Sequence, residues 1–477
     1  MTTTANPSSM AWQGASWSAV LAAAWRGDTP PQVDAVHTDT RTLTPGSLFV
    51  ALKGVRFDAH DYLEDAMNLG ATAAVVAQCP QVDAFHQKFP RFCLAVVDDT
   101  LMALGDLAAA WKAISKAKTV AITGSCGKTS TKDMLTGILA RQADTWATRG
   151  NLNNRVGVPL TLLGLRDQHF LVVEAGMSEP GEITTLARII NADVAVVTTV
   201  QKAHLEGMGG LQQVAWEKTA LFRHAADQGR VLVANADDPL VIAGARACRG
   251  QSSLLTYGLD GAGLDVTARQ VELLSAGSRF LLEARGAVAQ VSLPVPGRHM
   301  VSNALAAAAA AAALGVDIAD MALGLSEARL TPGRLTLRSQ YEGILVYDDS
   351  YNANPASMSS ALRVLAAHKG RRIAVLGSML ELGPEAAQLH REVGQEAAQS
   401  AELVLCYGPN GQDLAAGVAS ANGSAEVYDD MDTLVKRLKA VAGQGDAVLV
   451  KGSRGMAMER SLAALERFRN GSNPEVR

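Results

Sequence analysis

The order of apolar and polar positions divides the chain into alternating strand-like and helix-like stretches. Near the start, Ser47–Leu52 is a short apolar run of strand length, Tyr62–Leu69 carries helical spacing, and Thr72–Val76 is a second extended run. Together they predict a small α/β unit. An alanine-rich helical stretch from Leu101 to Lys118 follows. Beyond it, apolar runs recur at Thr119–Thr123, Phe170–Glu174, Val194–Val200 and Arg230–Ala234, with helical sequence between them. This alternation predicts a mostly parallel, doubly wound sheet whose ligands gather at the C-terminal strand ends.

From 252 to 296 the pattern changes to short extended runs, Leu254–Tyr257, Val271–Leu274, Arg279–Leu282 and Val288–Leu293, which predict an antiparallel addition. Pro294 to His299 then leads into an alanine-rich helix, Ser302–Leu314, whose composition points to tight packing. After Pro332-Gly333-Arg334, strands at Gly343–Tyr347, Arg372–Leu376, Leu403–Cys406 and Ala447–Val450 predict a third unit. It is Rossmann-like but has no Gly-x-Gly-x-x-Gly fingerprint, which argues against NAD. The expected fold class is α/β with three domains. These are a small α/β domain over 1–100, a central P-loop-type doubly wound domain over 101–331, and a Rossmann-like domain over 332–477. A length of 477 residues accommodates them.

The chemistry is concentrated where the Thr119–Thr123 run enters Gly124-Ser125-Cys126-Gly127-Lys128-Thr129-Ser130 and then a helix over Lys132–Ala140. A strand, a glycine turn and a helix N-terminus make a phosphate site: the glycines free backbone amides, the helix end is positive, Lys128 adds a point charge, and the Thr129 hydroxyl can ligate Mg²⁺. The loop reads Gly-x-x-Gly-Lys-Thr, with Ile122 where a full Walker A pattern has its first glycine.

Composition narrows the classes. A net charge of −4 without a basic run excludes a general nucleic-acid or anionic-membrane surface. Five scattered cysteines with no C-x-x-C pair point to a reducing compartment without structural zinc. No basic segment precedes an apolar core near the N-terminus. The longest apolar stretch, Ala304–Leu314, is about half of a membrane span, so a cytoplasmic protein without membrane insertion is expected.

Other strand ends carry polar groups. Glu174 closes one run, a candidate carboxylate for nucleotide-bound Mg²⁺. His204 and Glu206 follow another, with His204 open between metal ligand and loop residue. Asn235 could read an adenine edge or shape the turn before Pro239, and Asn303 could cap its helix or touch a base. Lys218 sits on the helix after His204 and by itself reads as a surface lysine. In the first unit, Asp39-Thr40-Arg41 and Lys53-Gly54 read as polar loops. In the third, Asp349 to Pro355 and Lys451 to Arg454 are dense in hydrogen-bonding groups at strand ends, suggesting substrate groups clamped against the P-loop.

The segments Thr123–Thr129, Gly150-Asn151-Leu152-Asn153-Asn154 with Gly157-Val158-Pro159, Glu174 with Gly181-Glu182-Ile183, Ala203–Gly207, Asn235-Ala236-Asp237, Gly297-Arg298-His299, Pro332-Gly333-Arg334, Asp349–Pro355 and Leu449–Arg454 together resemble the Mur ligases in order and spacing. The Gly-Asn-Leu-Asn-Asn and Asp-Ser-Tyr-Asn-Ala-Asn-Pro segments are most similar to the branch that adds D-alanyl-D-alanine to UDP-N-acetylmuramoyl-tripeptide. The resemblance implies that Lys128 and the loop amides hold ATP phosphates, that Thr129 and Glu174 hold one Mg²⁺ and His204 a second, and that Lys218, fourteen residues after His204, becomes a carbamylated Mg²⁺ ligand. It places Asn235 and Asn303 at the adenine, and Arg334 and Asp349 at the nucleotide. Asp39, Thr40, Arg41, Lys53 and Gly54 fall around UDP, Asn151, Asn153 and Asn154 along the muramoyl-peptide path, and Tyr351, Asn352 and Asn354 at the substrates. A monomer is expected. Departures from the family pattern are Ser178-Glu179 where Asn-His is common, Thr198-Thr199 where Asn-Asn is common, and Met300 where Asn often follows the histidine.

The implied reaction is a two-step amide synthesis through an acyl phosphate, because a carboxylate oxygen leaves poorly until phosphorylated. Two rivals lie nearby: a ligase adding the third amino acid, which would need an Asp-Asn-Pro-Arg segment that is absent here, and a folylpolyglutamate synthetase, which lacks the UDP-type first domain. A P-loop NTPase coupling hydrolysis to binding is the rival from another class.

Overall fold

The computed structural model describes residues 17–201, 209–338, 341 and 343–468. Backbone proximity divides the chain into two compact units. One holds residues through Ala121 with 143–177 and 181–193; the other holds 122–142, 178–180 and the residues from Val194 onward.

The first unit opens with β1 (Ala24–Arg26), β2 (Val36–His37), β3 (Leu48–Val50), β4 (Ala73–Ala77) and β5 (Cys93–Val97), which form a sheet of order β1-β5-β4-β3-β2. β2 to β5 pair in parallel and β1 closes the edge antiparallel to β5. β3 and β4 are almost wholly apolar and buried, the composition a parallel strand covered on both faces requires. Phe49, Leu63, Val76, Phe85 and Leu94 form the core. The expected helix starts with a 3₁₀ turn, Ala59–Tyr62, capped by Asp58, and continues as Leu63–Asn68.

β6 (Lys118–Thr123) is the strand along which the division runs, and β7 (Thr145–Ala147) and β8 (Phe170–Glu174) belong to the first unit, paired in parallel. β9 (Val194–Val197), β10 (Val231–Asn235), β11 (Leu254–Gly258), β12 (Val266–Leu274), β13 (Gly277–Ala284) and β14 (Ala287–Leu293) belong to the second. The nine-stranded order is β14-β13-β12-β11-β10-β9-β6-β8-β7.

One expectation is corrected here. The run at 254–257 is not antiparallel: β11 pairs parallel to β10, and β12 parallel to β11, leaving only β12, β13 and β14 antiparallel. The reason is the connection. A helix, Pro239–Cys248, crosses from β10 to β11, whereas β13 and β14 are joined by Arg285-Gly286, both at positive φ, the turn that closes a tight hairpin.

The second unit also carries β15 (Thr336–Leu337), β16 (Leu345–Asp349), β17 (Arg372–Gly377), β18 (Leu403–Tyr407), β19 (Ala425–Tyr428) and β20 (Ala447–Lys451), in the order β15-β16-β20-β17-β18-β19. All pair in parallel except β15. The alanine-rich helix runs from Arg298 to Ala313, and its alanines from Ala304 to Ala312 are fully buried, so it packs tightly as its composition suggested. Among the described residues no helix is long and apolar enough to cross a membrane.

Candidate functional site

The loop after β6 is held by bonds that its sequence makes obligatory. Gly127, at φ +84°, is the N-cap of the helix Lys128–Ala140, and a Cβ there would meet Asn303 Oδ1 at 2.2 Å. A Cβ on Gly124, at φ +149°, would meet Thr198 Oγ1 at 2.0 Å. The two threonines after β9 clasp the loop: Cys126 N donates to Thr199 Oγ1 (3.2 Å) and Thr198 Oγ1 donates to Cys126 O (2.5 Å). Ser125 N donates to Thr199 O (2.8 Å), and the Ser125 hydroxyl donates to Gln201 O (3.1 Å). Lys128 Nζ donates to Gly124 O (2.8 Å), and Thr129 Oγ1 accepts from Arg334 (3.1 Å). Ser130 is buried in the first helical turn.

Gly127→Ala is therefore expected to lower stability by at least ~1–2 kcal/mol from left-handed backbone strain and to abolish nucleotide binding. Thermal melting and titration with a fluorescent ATP analogue test this, and wild-type behaviour in both would count against the geometry.

Around this loop in the same unit, Asn303 is buried and its Nδ2 donates to Met300 Sδ (3.5 Å), so the methionine that departs from the family pattern is in contact with it. Asn235 spends its carboxamide on backbone: Nδ2 donates to Thr198 O (2.8 Å) and Oδ1 accepts from Asp237 N (3.0 Å). Lys218 ends the helix Leu211–Lys218 and is 1% exposed. Burial pushes its ammonium pKa well below the ordinary lysine range, and Lys128 pushes it the same way. His204 and Glu206 lie outside the described residues.

The strand ends of the six-stranded sheet meet the loop through two side chains, Arg334 on Thr129 and Asn354 on Cys126. Arg334, bonded to Thr129, stacks on the Tyr351 ring (4.0 Å to the centroid), and its Nε is buried without a partner among the described residues. Asp349 accepts from Lys451 Nζ (2.6 Å) and from Leu335 N (3.0 Å); burial pushes its carboxyl pKa up, against the pull of Lys451. Asn354 caps the helix Pro355–Ala366 through Ser357 N (2.9 Å) and donates from Nδ2 to Cys126 Sγ (3.1 Å). Asn352 contributes its backbone carbonyl to Lys451 (2.9 Å). His299, in the first turn of the alanine-rich helix, has its pKa lowered to about 4 by burial, with Lys451 and Arg363 adding repulsion.

In the first unit, Glu174 ends β8 at 2% exposure. Its Oε1 accepts from Asn153 Nδ2 (2.8 Å), while Oε2 is buried with no partner among the described residues. Such an oxygen is costly to bury unless a cation satisfies it, so this carboxylate fits a hard divalent metal. Asn154 caps the next helix through Val156 N and Gly157 N, and Asn151 is exposed.

Asp39 caps the 3₁₀ turn Thr40–Thr42 and forms a forked ion pair with Arg41, whose hydrogen bond lowers the Asp39 pKa. Lys53 reaches Asp58 (3.4 Å), which also holds His60 Nδ1 (2.6 Å), while His60 Nε2 accepts from Ala77 N (2.9 Å). Gly54 lies under the Phe57 ring. Among the described residues, no three His, Cys, Asp or Glu side chains gather as a metal cluster.

Sequence reasoning missed the Cys126–Asn354 contact and the place of Arg454 beside Tyr351 (5.7 Å). The Lys-Gly-Ser-Arg strand end was the available signal for the second; nothing in the sequence marked the first.

Comparison with known proteins bears on this arrangement. Family models match in chain order: "Mur ligase family, catalytic domain" over 32–112, "Mur ligase middle domain" over 122–311, and "Mur ligase, glutamate ligase domain" over 333–454. The UDP-N-acetylmuramoyl-tripeptide--D-alanyl-D-alanine ligase of Escherichia coli (strain K12) is 39% identical over 438 residues, covering 91% of this chain and 94% of that one. The chain belongs to the Mur ligase family. As a Mur ligase it is an ATP-dependent ligase, and its three-sheet α/β structure is the Mur ligase fold. This Mur ligase is similar to MurF from Acinetobacter baumannii, with TM-score 0.88, 33% identity, and coverage of 97% of this chain and 100% of that one. It is also similar to the MurF ligase from Thermotoga maritima in complex with ADP, with TM-score 0.79, 27% identity, and coverage of 91% and 97%.

Proposed function

We propose that the chain joins a carboxylate of UDP-N-acetylmuramoyl-tripeptide to the amine of D-alanyl-D-alanine, with ATP cleaved to ADP and phosphate, giving the pentapeptide precursor of peptidoglycan. The observation that carries this reading is the full-length likeness to a ligase of that name, on a chain that carries a P-loop after a strand, an orphaned carboxylate oxygen at a strand end and a buried lysine at a helix end. Ligases adding the third residue, or glutamate to folate, are disfavoured because relatives at 39%, 36% and 35% identity are D-alanyl-D-alanine ligases by name.

In the first step a peptide carboxylate oxygen attacks the γ-phosphorus and ADP leaves. In the second, the dipeptide amine attacks the acyl carbon and phosphate leaves. Lys128, released from Gly124, and the loop amides through Ser130 would bind the phosphates; Arg334 would leave Thr129 for the nucleotide, satisfying its idle Nε. Asn235 and Asn303 would shape the adenine side, and Asp349, held by Lys451, would meet the nucleotide from the six-stranded sheet. Mg²⁺, when bound, would neutralise charge as carboxylate and triphosphate approach. Thr129 would ligate one Mg²⁺ and His204 a second, with carbamylated Lys218 a further ligand; Glu174, oriented by Asn153, would be a carboxylate ligand for Mg²⁺. Asp39, Thr40, Arg41, Lys53 and Gly54 would take the UDP end, Asn151, Asn153 and Asn154 the muramoyl peptide, and Tyr351, Asn352 and Asn354 the acceptor. The working divisions would be 1–100 for UDP, 101–331 for ATP and 332–477 for the dipeptide, in a cytoplasmic monomer.

The test is ADP release with Mg²⁺-ATP and the UDP-tripeptide, with and without dipeptide, together with product mass. Turnover that needs the dipeptide, and a product heavier by the dipeptide less one water, is the expected result. Turnover with glutamate or a single amino acid instead would move the chain to another step, and hydrolysis with no acceptor would remove the ligase reading.

A further inference from the structure

D-alanyl-D-alanine brings an amine that must attack and a carboxylate that must not. The second needs a cation that neither the nucleotide nor the fold has already taken. This argument rests on the ligase reading above.

Around the loop after β16, the cations are differently committed. Lys451 is 3% exposed and bonded to Asp349 Oδ2 and Asn352 O. Arg334 is bonded to Thr129 and stacked on one side of the Tyr351 ring system. Arg454 is 62% exposed, its guanidinium lies 5.7 Å from the Tyr351 centroid, and its ion pair is with Glu459 (2.9 Å), itself 38% exposed. Its backbone is fixed while its head faces solvent. Ser453 N donates to Ser378 O (3.1 Å), Ser453 Oγ accepts from Leu380 N (2.9 Å) and donates to Ala353 O (3.4 Å), and a 3₁₀ turn, Arg454–Met456, follows at once. Arg454 therefore projects from a turn tied to both the β17 end and the loop carrying Tyr351 and Asn352.

We propose that Arg454 receives the carboxylate of the incoming dipeptide, exchanging Glu459 for the ligand while Tyr351 steadies the guanidinium. An exposed ion pair is weak, so the exchange is easily made. A planar guanidinium grips a carboxylate through two parallel hydrogen bonds, which fixes the dipeptide's direction as well as its position. A side chain on a rigid turn at a strand end holds that direction. Arg454 is in this sense a specificity-determining residue that turns the amine, and not the carboxylate, toward the acyl carbon.

The test compares D-alanyl-D-alanine with its C-terminal amide as acceptors for wild type, Arg454→Lys and Arg454→Ala, with ATP and UDP-tripeptide saturating. Wild type should favour the acid by about ten- to hundredfold in kcat/KM, the scale of one desolvated charge pair. Arg454→Ala should abolish that preference by raising KM for the acid alone, with KM for ATP unchanged, and Arg454→Lys should recover part of it. If Arg454→Ala keeps the wild-type preference, or loses acid and amide turnover equally as a merely structural role would require, the proposal is overturned. If wild type turns over neither acceptor, the ligase reading fails and this inference falls with it.

Discussion

Replacing Lys218 with alanine is expected to reduce turnover by about 10²–10³-fold or more, the range for losing one preorganised charge-stabilising group, and short carboxylic acids should restore part of it. The side chain is fully buried and burial holds its amine well below the ordinary lysine range, so the neutral form that can attack CO₂ is favoured. Attack forms an N–C bond and releases the amine proton, leaving an anion in place of a cation. Lys128, whose charge disfavours the ammonium, would favour that anion. The sign of the linkage is clear. The unfolded amine keeps an ordinary pKa near 10.4, so an unmodified Lys218 binds its proton more readily when unfolded. It thus subtracts stability below that range, a penalty relieved as pH rises through it. Lys218→Met should accordingly be inactive yet no less stable than wild type at neutral pH. Full activity of Lys218→Ala, or mass spectrometry showing an unmodified lysine in active protein under bicarbonate, would remove the idea.

Glu174→Gln should lower kcat by about 10²–10³-fold and remove the rise in melting temperature that wild type shows with Mg²⁺-nucleotide. The amide still accepts from Asn153, so the end of β8 keeps its anchor, but the orphaned Oε2 no longer carries charge. An unpaired buried carboxylate is a burden on the metal-free fold, so the variant without metal should melt higher than wild type. That combination, more stable and less active, marks a residue kept for chemistry. Calorimetric scans with and without Mg²⁺ read it, and a variant with wild-type turnover and an intact metal-dependent shift would refute the assignment.

Much of the fold was legible because the strands that carry it are apolar on both faces: β8, β9, β10, β17 and β20 are almost wholly buried, and each ends in, or runs directly into, a polar residue or a glycine. β7 and β19 escaped notice because they are short and half-buried throughout, with Glu426 of β19 facing Arg437. The P-loop could be read because its chemistry is contiguous in sequence. Its supports could not. Thr198 and Thr199, a departure from the family's pattern, clasp Cys126 from more than seventy residues away, and Asn354 reaches the same cysteine across 228 residues. Asn235 shows the converse: the sequence left a base contact and a turn role open, and its hydrogen bonds serve the turn.

Three groups of the phosphate loop described above are already engaged by the protein itself. Lys128 holds Gly124, Thr129 holds Arg334, and the Cys126 amide holds Thr199. At these three groups an arriving triphosphate trades partners, and each bond it makes there is offset by one it ends. The heat of nucleotide binding is then a small residue of large opposing terms, and affinity is set by the charge brought together more than by the number of bonds in the complex.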